Sequence, residues 1–246
     1  MTMVAYSPHI LAVNPEVPVK SVRELIDLAK AKPGKLNYAA SSVASAPHLA
    51  GVDFASRVGI TWAYIPYKGG AQAITDVIGG QADVLFNGML ATYPHVKSGK
   101  LRILAVSSAK RMSAIPDVPT VAESGVPGFE TGSWQGVLAP AGTPRDVVTR
   151  INADFIRVLS TAEIRDKLEA QGAEVRTNTP EAFAAFQRDE TARWAKVVSA
   201  NGVKLSEQLH ERHRYPPAGS SVIRLPTTRY AQRVVNDRFL PVTDEA

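Results

Sequence analysis

Cysteine is absent from all 246 residues. That one absence excludes disulfides, thiolate metal sites and cysteine nucleophiles together. Long apolar runs are missing too: none approaches the roughly 18–20 residues of a membrane-spanning helix. The opening Met1-Thr2-Met3-Val4-Ala5-Tyr6-Ser7-Pro8 has no basic n-region, long apolar h-region or cleavage site. A chain expressed in this form is therefore expected to stay in the cytoplasm. Catalytic signatures are lacking as well. There is no Gly-x-Ser-x-Gly elbow, no Gly-x-x-x-x-Gly-Lys-Ser/Thr phosphate cradle and no His-Glu-x-x-His, so no nucleophile–base pair, resident metal or cofactor is legible. The expectation is a protein that is not an enzyme.

Positive charge is present without being concentrated. Lys and Arg total 28 against 23 Asp and Glu, a net charge of +5 and an isoelectric point near 9.4. The basic residues are interleaved with acids, as in Arg165-Asp166-Lys167 and Arg188-Asp189-Glu190. Phosphate backbones call for Lys and Arg gathered on one face, so no nucleic-acid partner is expected. A mild positive field can still draw in small anions.

What is there is an alternation of short apolar strands and helices. Ile10–Val13 is a strand closed by Asn14-Pro15. Ser21-Val22-Arg23-Glu24 is a capping box that opens a helix, which Pro33-Gly34 ends. Strands follow at 36–40 and 60–65, with helices over 47–58 and 71–78. Further strands are expected at 82–86, 101–106, 134–139 and 174–176. Helices are expected at 144–159, at 162–171 behind a second capping box (Ser160-Thr161-Ala162-Glu163), and from Thr179-Pro180 to about Ala200. This order indicates a mostly parallel α/β sheet with helices on both faces. Beyond about Ser206 periodicity fades, and 206–246 reads as an irregular tail. Its His210 and His213 read as a solvated pair.

Two loops attract attention because each follows a strand and opens a helix, where free amides and the positive dipole end suit a carboxylate. The first is Ser41-Ser42-Val43-Ala44-Ser45, with Ser41, Ser42 and Ser45 as hydroxyl or amide donors. The second, Tyr67-Lys68-Gly69-Gly70, adds a phenol, a cation and glycines that admit close backbone approach. Both also fit plain βα turns. His48, near a helix start, fits either capping and packing or ligand contact.

These stretches carry a resemblance. From Leu11-Ala12-Val13-Asn14-Pro15 to Lys204 the chain resembles the substrate-binding proteins of tripartite tricarboxylate transporters, the Bug family. The matching stretches include Ser21-Val22-Arg23-Glu24-Leu25, Lys32-Pro33-Gly34-Lys35-Leu36-Asn37-Tyr38, His48-Leu49-Ala50-Gly51 and Pro66-Tyr67-Lys68-Gly69. Gly79-Gly80-Gln81-Ala82-Asp83, Ser98-Gly99-Lys100-Leu101-Arg102, the run Pro116–Gly125, Trp134 with Gly136, and Ala139-Pro140-Ala141-Gly142-Thr143-Pro144 follow in family order. The resemblance implies a periplasmic, two-lobed type II binding-protein fold that gives a small organic carboxylate to membrane permease subunits. Citrate, C4-dicarboxylates, acidic amino acids and aromatic acids are the ligand classes. It adds Asn87 and Trp134 as residues lining the cleft.

The chain also departs from that pattern. The family's first strand and the Pro/Gly-rich loop after it have no counterpart here, about a hundred residues in all, so an incomplete first lobe is expected. The serine loop has Ser42 and Ala44 where the family places glycine, and Asn87 stands where an Asp is common. The expected division is a partial first lobe from 1–14 and 134–205, a second lobe over 15–133, and the tail. Two other readings stay open: a cytoplasmic carboxylate-sensing module of related fold, and a truncated remnant without function.

Overall fold

A computed structural model describes residues 1–204; the expected tail at 206–246 and its histidine pair lie outside the described residues. The chain is organised around one strand, β1 (Thr2–Val13), which belongs to two sheets in succession. Its second half, His9–Val13, lies between β4 (Val84–Gly88) and β5 (Arg102–Val106) and is antiparallel to both. Beyond β4 follow β2 (Asn37–Ser41) and β3 (Ala63–Tyr67), with β2 parallel to each of its neighbours. The five-stranded order is therefore β3-β2-β4-β1-β5. The parallel pairing expected for most of the sheet holds around β2. The sheet as a whole is mixed, because β1 runs against every strand it meets.

The first half of β1 pairs with β6 (Gly132–Val137) and with the short β7 (Glu174–Val175) in a second sheet. The strand expected over Ile10–Val13 extends back to Thr2 and runs through Pro8, which cannot donate to a ladder. Pro8 falls where β1 changes sheets: it is the last residue paired with β6, and His9 is the first paired with β4. The division expected at residue 14 thus cuts differently from the sheets, since His9–Val13 are strands of the larger one.

Alternation along each strand builds a core on both faces of the large sheet. Leu11, Val13, Tyr38, Ala40, Val84 and Phe86 face α1 (Val22–Ala31) and α2 (Ala46–Val58). Ile10, Ala12, Ala39, Leu85 and Val106 face α3 (Gly70–Ile78) and α4 (Met89–Lys97). The first face carries an aromatic knot: Tyr38 stacks on Trp62 at 4.6 Å, and Phe54, Phe86 and Phe129 meet one another at 5.6–5.8 Å. Edge-on and stacked pairs of this kind add about 0.5–1.5 kcal/mol each beyond their burial. Helix α1 starts as expected, with Ser21 Oγ accepting the Glu24 amide and the Glu24 carboxylate accepting the Lys20 amide.

Helix α4 has no counterpart in the sequence reading. Its N-cap Gly88 supplies no side-chain cap, and Pro94 interrupts its interior, which argues against a helix locally. Burial of Met89 and Thr92 holds it in place.

The smaller sheet is covered by α5 (Arg145–Leu159), α6 (Ala162–Ala170) and α7 (Pro180–Ala200), around Met3, Tyr6 and Phe183. The second capping box is not formed. Ser160 and Thr161 direct their hydroxyls back to the carbonyls of Ile156 and Val158 and so close the end of α5 instead. This half is thinly packed: α5 buries only Asn152 and Leu159, and α6 buries nothing. Leu138, Val147 and Val158 are exposed by 57, 40 and 48%.

Candidate functional site

Strand direction brings the chemistry to one edge. Because β2, β3 and β4 are parallel, their carboxyl ends Ser41, Tyr67 and Gly88 lie side by side, and the N-termini of α2, α3 and α4 follow directly. The antiparallel β1 passes that same edge at His9, opposite Gly88, as it leaves for the smaller sheet. Three helix starts and the junction between the two sheets therefore share one end of the large sheet. Positive dipole ends and first-turn amides converge where the second sheet begins.

The serine loop is internally bonded. Ser41 Oγ donates to Ser45 Oγ at 2.9 Å, and Ser45 Oγ is 3.2 Å from the Ser41 carbonyl. Ser45 is the N-cap of α2 and accepts the His48 amide at 3.3 Å. Two of the three serines expected to serve a ligand, Ser41 and Ser45, thus use their hydroxyls to hold the loop itself, leaving its backbone and Ser42 as the surface it presents. Ala44 adopts φ 61°, a left-handed conformation usually left to glycine, and its amide donates to His48 Nδ1 at 3.0 Å. The His48 ring packs on Tyr64 with centroids 4.1 Å apart, and the Tyr64 hydroxyl donates to the Ser41 carbonyl at 2.8 Å. Burial pushes His48 down to about 4, so the ring is neutral at pH 7. With Nδ1 accepting, Nε2 carries the proton.

The second loop works differently. Tyr67 is the last residue of β3 and its ring is buried in the core. Burial, then a hydrogen bond with Asp76 of α3, raises its pKa. Lys68 is exposed. Gly69 is the N-cap of α3 in extended conformation, and a Cβ there would meet nothing within 4 Å. At Gly70 a Cβ would come within 2.6 Å of Asn87 Oδ1. The Asn87 side chain therefore lies against the first turn of α3. It is 7% exposed, and its Nδ2 donates to Thr92 Oγ1 at 3.1 Å.

Of the expected residues, the fold brings Ser41, Ser42, Ser45, Tyr67, Lys68, Gly69 and Asn87 to the ends of the three adjacent strands. Trp134 lies apart on β6, its ring edge-on to Phe183 and Phe186 of α7 at 5.7 and 5.6 Å. Two surface hollows of about 390 and 480 Å³ open elsewhere. One is lined by Lys20–Arg23 with Asp117–Pro119, the other by Leu36 and Asp83 at the amino ends of β2 and β4.

The junction itself was invisible in the sequence. The His9 amide donates to Ser107 Oγ at 2.8 Å, the Ser107 amide to the His9 carbonyl at 2.9 Å, and the Thr131 amide to the Ser107 carbonyl at 2.9 Å. Ser107 Oγ also donates to the Thr131 carbonyl, and His9 Nε2 lies 3.4 Å from Ser133 Oγ. The imidazole of His9 is fully buried, and burial pushes its pKa down to about 4. Its Nδ1 and Thr131 Oγ1 have no hydrogen-bond partner among the described residues. A second contact joins the two halves at Gly172, before β7. Its backbone approaches Met89 so closely that a Cβ would lie 2.0 Å from Met89 Cγ. Along the chain His9 is 98 residues from Ser107 and 124 from Ser133, and no local pattern links them.

Comparison with known proteins places this geometry. The family model described as tripartite tricarboxylate transporter family receptor matches residues 1–203. Protein BugT of Bordetella pertussis is 36% identical over 205 residues, 83% of this chain and 63% of BugT. The chain thus spans under two thirds of that relative's length. Among solved structures, the R. palustris protein Rpa4515 with adipate superposes with a TM-score of 0.76 at 36% identity, covering 82% of this chain and 67% of that one. The periplasmic binding protein BugD gives 0.73 at 32% identity, over 82% of this chain and 69% of its own. The two sheets joined through β1 match the two-lobed periplasmic binding-protein fold, of which this chain covers about two thirds. The chain belongs to the tripartite tricarboxylate transporter receptor family.

Proposed function

We propose that this chain is a periplasmic solute-binding component that captures a small organic carboxylate and presents it to the permease subunits of a tripartite tricarboxylate transporter. The observation that carries the reading is the convergence of three helix N-termini, α2, α3 and α4, at the edge where β1 crosses between sheets. A carboxylate there meets backbone amides and dipole ends in place of a buried cation, which suits binding that must also release. The extended Gly69 backbone, with open space at its Cβ position, lets an anion approach closely. Ser42 and the Ser41–Ser45 backbone take one carboxyl group, and Tyr67, Lys68 and Gly69 border the other. The adipate named for Rpa4515 supports a dicarboxylate as ligand.

Binding requires no covalent chemistry. Ligand seated against the larger lobe draws the smaller one down around the His9–Ser107–Thr131 junction, and Trp134 forms the far wall on closure. The function is capture, not catalysis. Thermal unfolding with succinate, malate, adipate, citrate, glutamate and benzoate tests it. A ligand at 100 times its Kd adds about 2.7 kcal/mol to the folded state, which at about 2–4 °C per kcal/mol is a shift of several degrees. A melt raised by a dicarboxylate supports the reading; a cooperative melt indifferent to every acid overturns it.

A further inference from the structure

The tightest local construction in the candidate site is the strained serine loop and the histidine behind it. Ala44 is the one non-glycine residue with positive φ among the described residues. It is 4% exposed, so solvent does not hold its amide. A residue with a Cβ reaches this conformation only when its surroundings over-determine it. Here the surroundings are a closed circuit. The Ala44 amide donates to His48 Nδ1, the His48 amide donates to Ser45 Oγ, and Ser45 Oγ bonds back to Ser41. From outside, Tyr64 packs on the imidazole and donates its hydroxyl to the Ser41 carbonyl. The loop is thus clamped at its strand end by Tyr64, at its helix end by Ser45, and at its bend by His48.

We propose that His48 is a positioning residue for ligand capture: its Nδ1, by accepting the Ala44 amide, holds the Ser41–Ser45 loop in the left-handed bend that aims the loop backbone at the ligand. His48 acts through the loop and not by touching the ligand. This rests on the reading of the site as a carboxylate cleft, yet part of its test is independent of that reading. The role belongs to the acceptor atom alone, so asparagine, whose Oδ1 occupies the place of Nδ1 along the side chain, substitutes for it; alanine does not. Glycine at position 44 reaches the same bend without help and lessens the need for the histidine.

The test uses the full chain and four variants: His48→Ala, His48→Asn, Ala44→Gly and the double variant Ala44→Gly/His48→Ala. Amide exchange at residue 44, read by NMR without ligand, is expected to quicken at least about tenfold in H48A and to stay near the parent rate in H48N. Calorimetry with adipate and malate is expected to show H48A weakening affinity about tenfold, the loss of one hydrogen bond's hold. H48N stays within a few-fold, and the H48A penalty shrinks in the Ala44→Gly background. Unchanged exchange at residue 44 in H48A overturns the proposal. So does an affinity loss of equal size in the parent and Ala44→Gly backgrounds, or an H48N variant no better than H48A. If neither acid binds the parent chain, the carboxylate reading fails, while the exchange rates alone decide whether His48 holds the loop. Should H48A give no cooperative melt, His48→Gln, which keeps bulk but displaces the acceptor, takes its place with the same expectations.

Discussion

Gly51 shows how closely α2 is seated on the sheet, and Gly51→Ala measures it. Two effects of opposite sign compete. Replacing a mid-helix glycine by alanine gains about 1 kcal/mol of helix propensity. Against this, a Cβ at position 51 would lie 2.3 Å from two ring carbons of Tyr38 and 2.7 Å from its hydroxyl. The ring has little freedom to retreat. It is 1% exposed, stacked on Trp62, and its hydroxyl donates to the Pro47 carbonyl. Overpacking of a closed core costs about 1–3 kcal/mol, and a contact this short with an immobilised ring belongs at the upper end. The expected net effect is a destabilisation of about 1–2 kcal/mol, read as a lower urea midpoint at unchanged slope. The cause is checked by repeating the change in a Tyr38→Leu background, where the ring is gone and Gly51→Ala is expected to become neutral or stabilising. A G51A variant as stable as the parent with Tyr38 in place would refute the reasoning. The consequence reaches the candidate site, because the displaced helix carries Ser45 and His48.

Further outcomes follow from the same geometry. Ala44→Gly relieves the left-handed strain, worth about 1–2 kcal/mol, at an entropic cost of about 0.5–1 kcal/mol; a melt raised by a few degrees or less is expected, and a lowered one contradicts the strain. Gly69→Ala is expected to leave stability within about 0.5 kcal/mol yet weaken adipate binding, whereas Gly70→Ala displaces Asn87 and lowers both; calorimetry and thermal melts of the two variants check this. Asn87→Asp places a carboxylate at the α3 N-terminus and removes the donor to Thr92, so titration is expected to show dianion affinity falling several-fold; a tighter complex would contradict the placement. His9, held near 4 when folded against about 6.5 when unfolded, is neutral in both states above pH 6.5. Below that the unfolded chain takes up the proton first, so stability falls between about pH 6.5 and 4, by up to about 3 kcal/mol. His9→Asn is expected to flatten that part of the stability profile, and an unchanged slope would locate the effect elsewhere.

Much of this was legible locally. Capping at Ser21 and Glu24, the Pro33-Gly34 stop, the alternating apolar strands and the two βα loops all come from interactions within a few residues. Side-chain period and cap chemistry carry them. The family resemblance added the two-lobed fold. Where the reading fell short, tertiary contacts had overruled local preference. Helix α4 forms around Pro94 because Met89 and Thr92 are buried, and β1 runs through Pro8 because two sheets change over there. At Ser160 and Thr161 the competition was local: both hydroxyls donate to α5 carbonyls three and four residues back, and α6 starts without a side-chain cap.

The amino-acid sequence by itself determined the α/β class, the two loops and their small polar residues, since each depends on neighbours in the chain. Only the tertiary structure decided what those residues do. It set Asn87 against Gly70, moved Trp134 to the α7 side and made a junction of His9, Ser107 and Thr131. The physical reason is distance along the chain. Hydrogen bonds and close approaches between groups 98 and 124 residues apart leave no periodic trace, and they exist only once β1 has joined the two sheets.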